Sequence, residues 1–296
     1  MAFNANMGDS YGDPFGYTWP GSLTPYSDAT GRTTVSPTLA AERTAIFIID
    51  GQSLASNHCA CSYTVLNPTK VQSVNWAGDR LLYRHQEPCF GGSFWDSTHL
   101  PANNVVGFYT SIWGKVGDLL IGGGIFDRVI FFNVSAGGQT AGSIAPGGSL
   151  GQRLPMAFHV LRSLGYSGNQ VSAVLSMLGE SDGVSATDPA LWKSQRRAAI
   201  DVTRDFGFTG PWIIPQETYV SGVSYPAIRT AQAELAAEGG NALGPDFDAL
   251  GSSYRGADNI HQNLAGRDAM AQMWLETLSA QFTTHASSSV RRLHYR

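Results

Sequence analysis

Charge is what this sequence has least of: 14% of its 296 residues are Asp, Glu, Lys or Arg, and the net charge is -4. Without a basic excess there is no field to gather phosphates, so nucleic acid is not an expected partner. No stretch approaches the roughly 18 consecutive apolar residues of a membrane span, and the N-terminal residues lack the charged and apolar regions of a secretory signal. No membrane partner is expected either. Three cysteines, Cys59, Cys61 and Cys89, cannot all pair with one another. A bridge from Cys59 or Cys61 to Cys89 and buried free thiols both stay open. His58-Cys59-Ala60-Cys61 invites a metal reading, but a structural zinc site needs four ligands and no second pair follows, so no metal is expected.

Apolar residues, at 43%, are ample for a core in one large domain, and 34 glycines and 14 prolines point to many turns and shaped loops. Residues 1–43 are rich in Gly, Pro, Ser, Thr, Tyr and Asn without periodicity and read as an extended arm. Packing over the domain, contact with another subunit and disorder all stay open for it; Tyr11, Phe15, Tyr17 and Trp19 favour packing, and contact with another subunit would make a homo-oligomer or larger assembly. Residues 44–283 read as the domain and 284–296 as a polar, loose tail.

Ala45 to Ile49 is an unbroken apolar run, suited to a central strand buried on both faces, and it stops at Asp50-Gly51. Ser53, on the turn just past it, would stand at the carboxyl edge of the sheet, where open α/β sheets place their ligand crevice. The earlier Gly8-Asp9-Ser10 has no strand before it to hold its serine and is set aside. Arg128 to Val134 is a second strand, running into Gly137-Gly138-Gln139, where a substrate can approach backbone amides closely. Val171 to Leu178, ending in Gly179-Glu180-Ser181-Asp182, is a third. Pro211 to Ile214, ending at Gln216 and Glu217, is a fourth, and Asp246 to Leu250 a weak fifth.

Helices are expected near 105–121, with Asn103 or Asn104 as cap, and near 150–164. Further helices are expected from Asp188-Pro189 to about Phe206, from Pro226 to about Glu238, and from Leu264 to Phe282. The repeat of strand, polar turn and helix implies parallel βαβ units, hence an α/β sandwich around a mostly parallel sheet of these five strands. Residues 58–103 read as a long irregular region whose Trp76, Tyr83, Phe90, Phe94 and Trp95 suit either loop packing or a sugar. His261, three residues after Asp258, is the best general base in the chain, with Asp258 to orient it. Taken singly, each of these blocks also reads as an ordinary polar turn.

Together they resemble the SGNH hydrolase superfamily, in its carbohydrate-esterase branch with sialate O-acetylesterases and acetylxylan esterases. Gly51-Gln52-Ser53, Gly137-Gly138, Gly179-Glu180-Ser181-Asp182 and Asp258 to His261 carry the resemblance in the branch's order. It implies a three-layer α/β/α sandwich with a central, mostly parallel five-stranded sheet, flavodoxin-like, with Ser53 as nucleophile, His261 as base and Asp258 as its orienter. It also implies an oxyanion hole from the amides of Ser53 and Gly137 or Gly138, and no cofactor. Gln52, Asn57, Gln139, Glu180 and Asp182 would support the loops or the substrate, and Glu217 is expected to be structural or substrate-orienting.

The branch carries Gln before Gly-Glu in its third block, where this chain has Leu178, and Asn57 or Gln139 is the expected replacement donor. The implied reaction is removal of O-acetyl groups from a carbohydrate, at an extracellular, surface or virion-associated location. The alternative is a carbohydrate-binding or adhesion protein on the same fold.

Overall fold

The computed structural model describes residues 24–37, 42–93 and 110–291, with side chains to residue 283. Its centre is a sheet of seven strands: β1 Thr44–Gly51, β2 Val71–Val74, β3 Leu82–Arg84, β4 Arg128–Asn133, β5 Ala173–Met177, β6 Trp212–Gln216 and β7 Asn241–Asp246. Their order is β3-β2-β4-β1-β5-β6-β7, and all neighbours are parallel except β3, which runs antiparallel to β2.

Side chains alternate across a strand, so a central strand must feed two cores at once. In β1, Ile46 and Ile48 enter one apolar layer while Ala45, Phe47 and Ile49 enter the other. In β4, Ile130 and Phe132 oppose Val129 and Phe131 in the same way. The first layer is closed by α3 Arg153–Ser163, α5 Pro189–Asp205 and α6 Pro226–Ala236, through residues such as Phe158, Trp192 and Leu235. The second is closed by α1 Trp113–Gly122 and α7 Leu264–Arg291, through Trp113, Val116, Trp274 and Leu278. Two short helices, α2 Ala141–Ile144 and α4 Glu180–Val184, follow β4 and β5 at the sheet's carboxyl edge.

The expected three layers are present, and the corrections are local. Among the described residues there are seven strands rather than five. β2 and β3 lie inside 58–103, where the buried Gln72 and Ser73 interrupt any apolar run. The last strand is Asn241–Asp246, and Phe247–Ala249 is a 3-10 turn. Helix α1 starts at Trp113, where Ser111 Oγ accepts from the Trp113 amide and Glu87 accepts from Ser111 and Gly114. Asn103 and Asn104 lie outside the described residues. Helix α7 passes Phe282 and continues to Arg291.

Trp76, Tyr83 and Phe90 are buried, so they belong to the core and not to a sugar platform. Phe94 and Trp95 lie outside the described residues. Cys59 bonds Cys61, leaving Cys89 as a buried thiol. Of the arm, residues 24–37 lie on the domain: Thr34 pairs with Tyr83, and the Arg32 guanidinium sits 4.1 Å over the Phe90 ring. Its Tyr11, Phe15, Tyr17 and Trp19 lie outside the described residues.

One ion pair spans the first layer beneath the end of β1. Arg196, on α5, hydrogen-bonds Asp50 and Ser176 Oγ, and the Arg196 and Asp50 side chains are each 1% exposed. A buried charge that loses its partner keeps its desolvation cost. Arg196→Met is therefore expected to destabilise the fold by about 3–5 kcal/mol in urea unfolding, and the Asp50→Leu/Arg196→Met pair to recover most of that loss.

Candidate active site

The end of β1 is built around one backbone contact. A side chain at Gly51 would place its Cβ 1.9 Å from the Met177 carbonyl oxygen, and Gly51 has φ of 137°, so only glycine fits. The Gln52 amide donates to that same carbonyl at 2.9 Å. The chain then enters a 3-10 turn, Ser53–Ala55, with the Ser56 amide donating to the Ser53 carbonyl at 3.0 Å. Ser53 is thus held at the carboxyl edge of the central strand.

His261 arrives from the loop before α7. Asp258 accepts from the Ile260 amide at 2.9 Å and the His261 amide at 3.0 Å, while its Oδ2 lies 2.6 Å from His261 Nδ1. A carboxylate at that distance fixes the proton on Nδ1 and leaves Nε2 as the acceptor. Burial alone would raise the Asp258 carboxyl; its bonds to the His261 ring and to the Ile260 amide outweigh burial and bring it down to about 2. Ser53 and His261 line one cavity of about 300 Å³, with Gln52, Gly138, Thr140 and Glu180.

The expected anion donors divide. Gly138, at φ of 70°, lines the cavity. Gly137 is a correction: its amide is already donated to Ser93 Oγ at 2.8 Å. Asn57 is a second, since its Nδ2 is spent on the Cys89 and Gly92 carbonyls and its Oδ1 on the Cys89 amide, with no exposure left. Gln139 is half-buried, and its Nε2 gives one of its two hydrogens to the Gly137 carbonyl at 3.0 Å. Leu178 is buried in the first apolar layer, so a glutamine there would point into hydrocarbon. Gln52 does face the cavity; its Oε1 accepts from the Ser181 amide at 3.3 Å, which directs Nε2 the other way.

Asp182 is fully buried and accepts from the Ala141 amide at 3.0 Å, so it supports the loop that carries Gly138. Glu180 lines the cavity and is paired with Glu217 from the end of β6, both fully buried. Burial raises Glu180 to about 7 against the hydrogen bond from Glu217, and burial and then the Glu180 charge raise Glu217 further. Glu217 fits the structural or substrate-orienting part expected of it beside Glu180 and Asp182. Two residues were not legible as site members. Ser93 is brought in from a distant segment. His58 had suggested only a metal, yet its ring lies against that of His261, with centroids 5.0 Å apart.

The Glu180 and Glu217 pair makes stability depend on pH. Both are raised above the ordinary carboxylate range in the fold, so their favourable contribution is complete below about 4.5 and is lost as pH rises, for Glu180 through about 7. Glu217→Gln removes the second charge. Its unfolding free energy from urea titration should match the native one near pH 4.5 and exceed it at pH 8.5, by on the order of 1–3 kcal/mol.

No protein-family model matches the sequence, and no curated protein matches it. Solved structures do. A protein from Arabidopsis thaliana superposes with a TM-score of 0.61 at 15% identity, over 81% of this chain and 99% of that one. NanS gives 0.57 at 13%, over 85% and 99%. A carbohydrate esterase family 3 protein from Talaromyces cellulolyticus gives 0.50 at 13%, over 81% and 99%. With the strand order, the serine at the end of β1 and the Asp258 to His261 loop before the last helix, these likenesses establish that the chain has the SGNH hydrolase fold.

Proposed function

We propose that this chain is a serine esterase that removes O-acetyl groups from a neutral carbohydrate. The observation that carries the proposal is the 2.6 Å bond from His261 Nδ1 to Asp258, on a ring that shares a cavity with Ser53. In this reading His261 Nε2 takes the Ser53 hydroxyl proton as Oγ attacks the acetyl carbonyl. The amides of Ser53 and Gly138 receive the negative charge that develops on the carbonyl oxygen. The tetrahedral species expels the sugar alkoxide, which takes the proton from His261. Water, deprotonated by the same ring, then attacks the acetyl-enzyme and releases acetate.

Two features of the cavity support the substrate class. Its walls include Val184, Val220 and Ile260, suited to an acetyl methyl and the apolar face of a sugar ring. Among the described residues its lining is neutral apart from Glu180, which is held protonated to about 7, an environment that suits a neutral sugar better than the carboxylate of a sialic acid.

Acetate release from acetylated xylan, acetylated sialic acid and an aryl acetate tests the reading. Xylan and aryl acetate should be turned over in preference to the sialic acid, and Ser53→Ala should abolish all of it. Asp258→Asn should cut kcat by roughly 10²–10⁴ through loss of the correct tautomer. A folded native chain that binds glycans but releases no acetate would replace this reading with the adhesion one.

A further inference from the structure

His58 sits beside the proposed base without belonging to the motifs that suggested it. Its ring is tilted 32° to that of His261 at a centroid distance of 5.0 Å, and the residue is only 4% exposed. Asp258 fixes where His261 Nδ1 lies, and the His58 ring packs against the face of the same imidazole, where it limits tilting of the ring.

The backbone around His58 is tied down on both sides. The Asn57 amide donates to Ser93, and the Asn57 side chain is bonded to Cys89 and Gly92. Cys59 exchanges backbone bonds with Thr110 and is joined to Cys61. The Ala60 amide reaches the Gln262 carbonyl at 3.0 Å, and Gln262 Nε2 reaches the Leu54 carbonyl at 3.1 Å. The loop carrying His58 is thereby stitched to the loop carrying His261 and to the turn carrying Ser53.

Gly137 closes the arrangement from the third side. A Cβ there would lie 2.8 Å from His58 Cε1, 2.9 Å from His58 Nε2 and 3.7 Å from Ser53 Cβ. Its amide is spent on Ser93, so the glycine is required for the space that it leaves to the His58 ring.

We propose that His58 is the positioning residue for His261, a rigid wall clamped between Gly137 and the base that holds the imidazole in its working orientation. The inference rests on the esterase reading, with His261 as base. Burial, and then the neighbouring His261, hold His58 well below the ordinary histidine range, against a smaller opposing effect of Asp258. The wall therefore stays uncharged beside a ring that becomes cationic during turnover.

Aryl acetate kinetics and the rate of Ser53 labelling by a fluorophosphonate test this in four variants: His58→Ala, His58→Phe, Gly137→Ala and the Gly137→Ala/His58→Ala pair. His58→Ala should lower kcat about tenfold to a hundredfold, with KM within about threefold, and slow labelling equally, as expected when a reacting group is misplaced. His58→Phe should recover most of that loss, because a flat ring suffices. Gly137→Ala should be damaging alone and add nothing in the His58→Ala background, where its clash partner is gone.

Native kcat in His58→Ala would overturn the proposal, as would Gly137→Ala costing the same in both backgrounds. His58→Phe no better than His58→Ala would also overturn it, by giving the work to a ring nitrogen. Should His58→Ala fail to fold, His58→Phe and Gly137→Ala alone decide. A native chain that neither hydrolyses nor labels overturns the esterase reading and this one with it, whereas native turnover indifferent to these changes overturns only this one.

Discussion

One carbonyl group sets the geometry of this site. The oxygen of Met177 approaches Gly51 so closely that no side chain can stand between them, and it also accepts the Gln52 amide. β1 and β5 are thereby locked in register to their last pair, Gly51 opposite Met177. The chain past β1 must then turn, and the turn presents Ser53. The chain past β5 turns at Gly179, which is pressed equally hard, since a Cβ there would lie 2.3 Å from both Gln232 Nε2 and the Glu217 carbonyl oxygen. Two glycines in adjacent strand ends thus draw three strands together, and the cavity lies above that junction.

Much of this was legible in the sequence, for identifiable reasons. β1, β4 and β5 are buried on both faces and therefore appear as largely apolar runs, with β5 interrupted only by Ser176. Asp258 and His261 interact at a spacing of three, so the pair is local and spacing alone predicts it. β2 was not legible, because its buried face includes Gln72 and Ser73. Ser93 was not legible because it meets Gly137 across 44 residues of chain, and no pattern in either segment announces the other. Glu217 was visible as the end of a strand but not as the partner of Glu180, which depends on β5 and β6 being neighbours.

The polar side chains near the site follow a division of labour that type and position alone do not reveal. Asn57 and Gln139 look like donors for a developing anion; Asn57 is used as mortar for loops, and Gln139 gives one of its two hydrogens to the same use. Gln232 bridges the Leu178 and Glu217 carbonyls from α6, binding the backbones on either side of Gly179. Leu178 is apolar because its side chain enters the layer beneath α3, α5 and α6, where an amide would have been left without partners. The departure from the esterase pattern at this position is therefore a matter of which way the strand end faces.

The strap formed by residues 24–37 has a meaning beyond the site. β3 is a three-residue strand at the margin of the sheet, and an uncovered margin offers its amides and carbonyls to any passing chain. Here the Val35 amide donates to Leu82 and the Arg84 amide donates to Thr33, so the margin is already occupied from within. At the opposite margin, β7 carries Pro245 and ends in Asp246 paired with Arg229, a combination that discourages further strand addition. Both rims of the sheet are thus guarded against self-association by the chain's own residues, one by a covering segment and the other by composition.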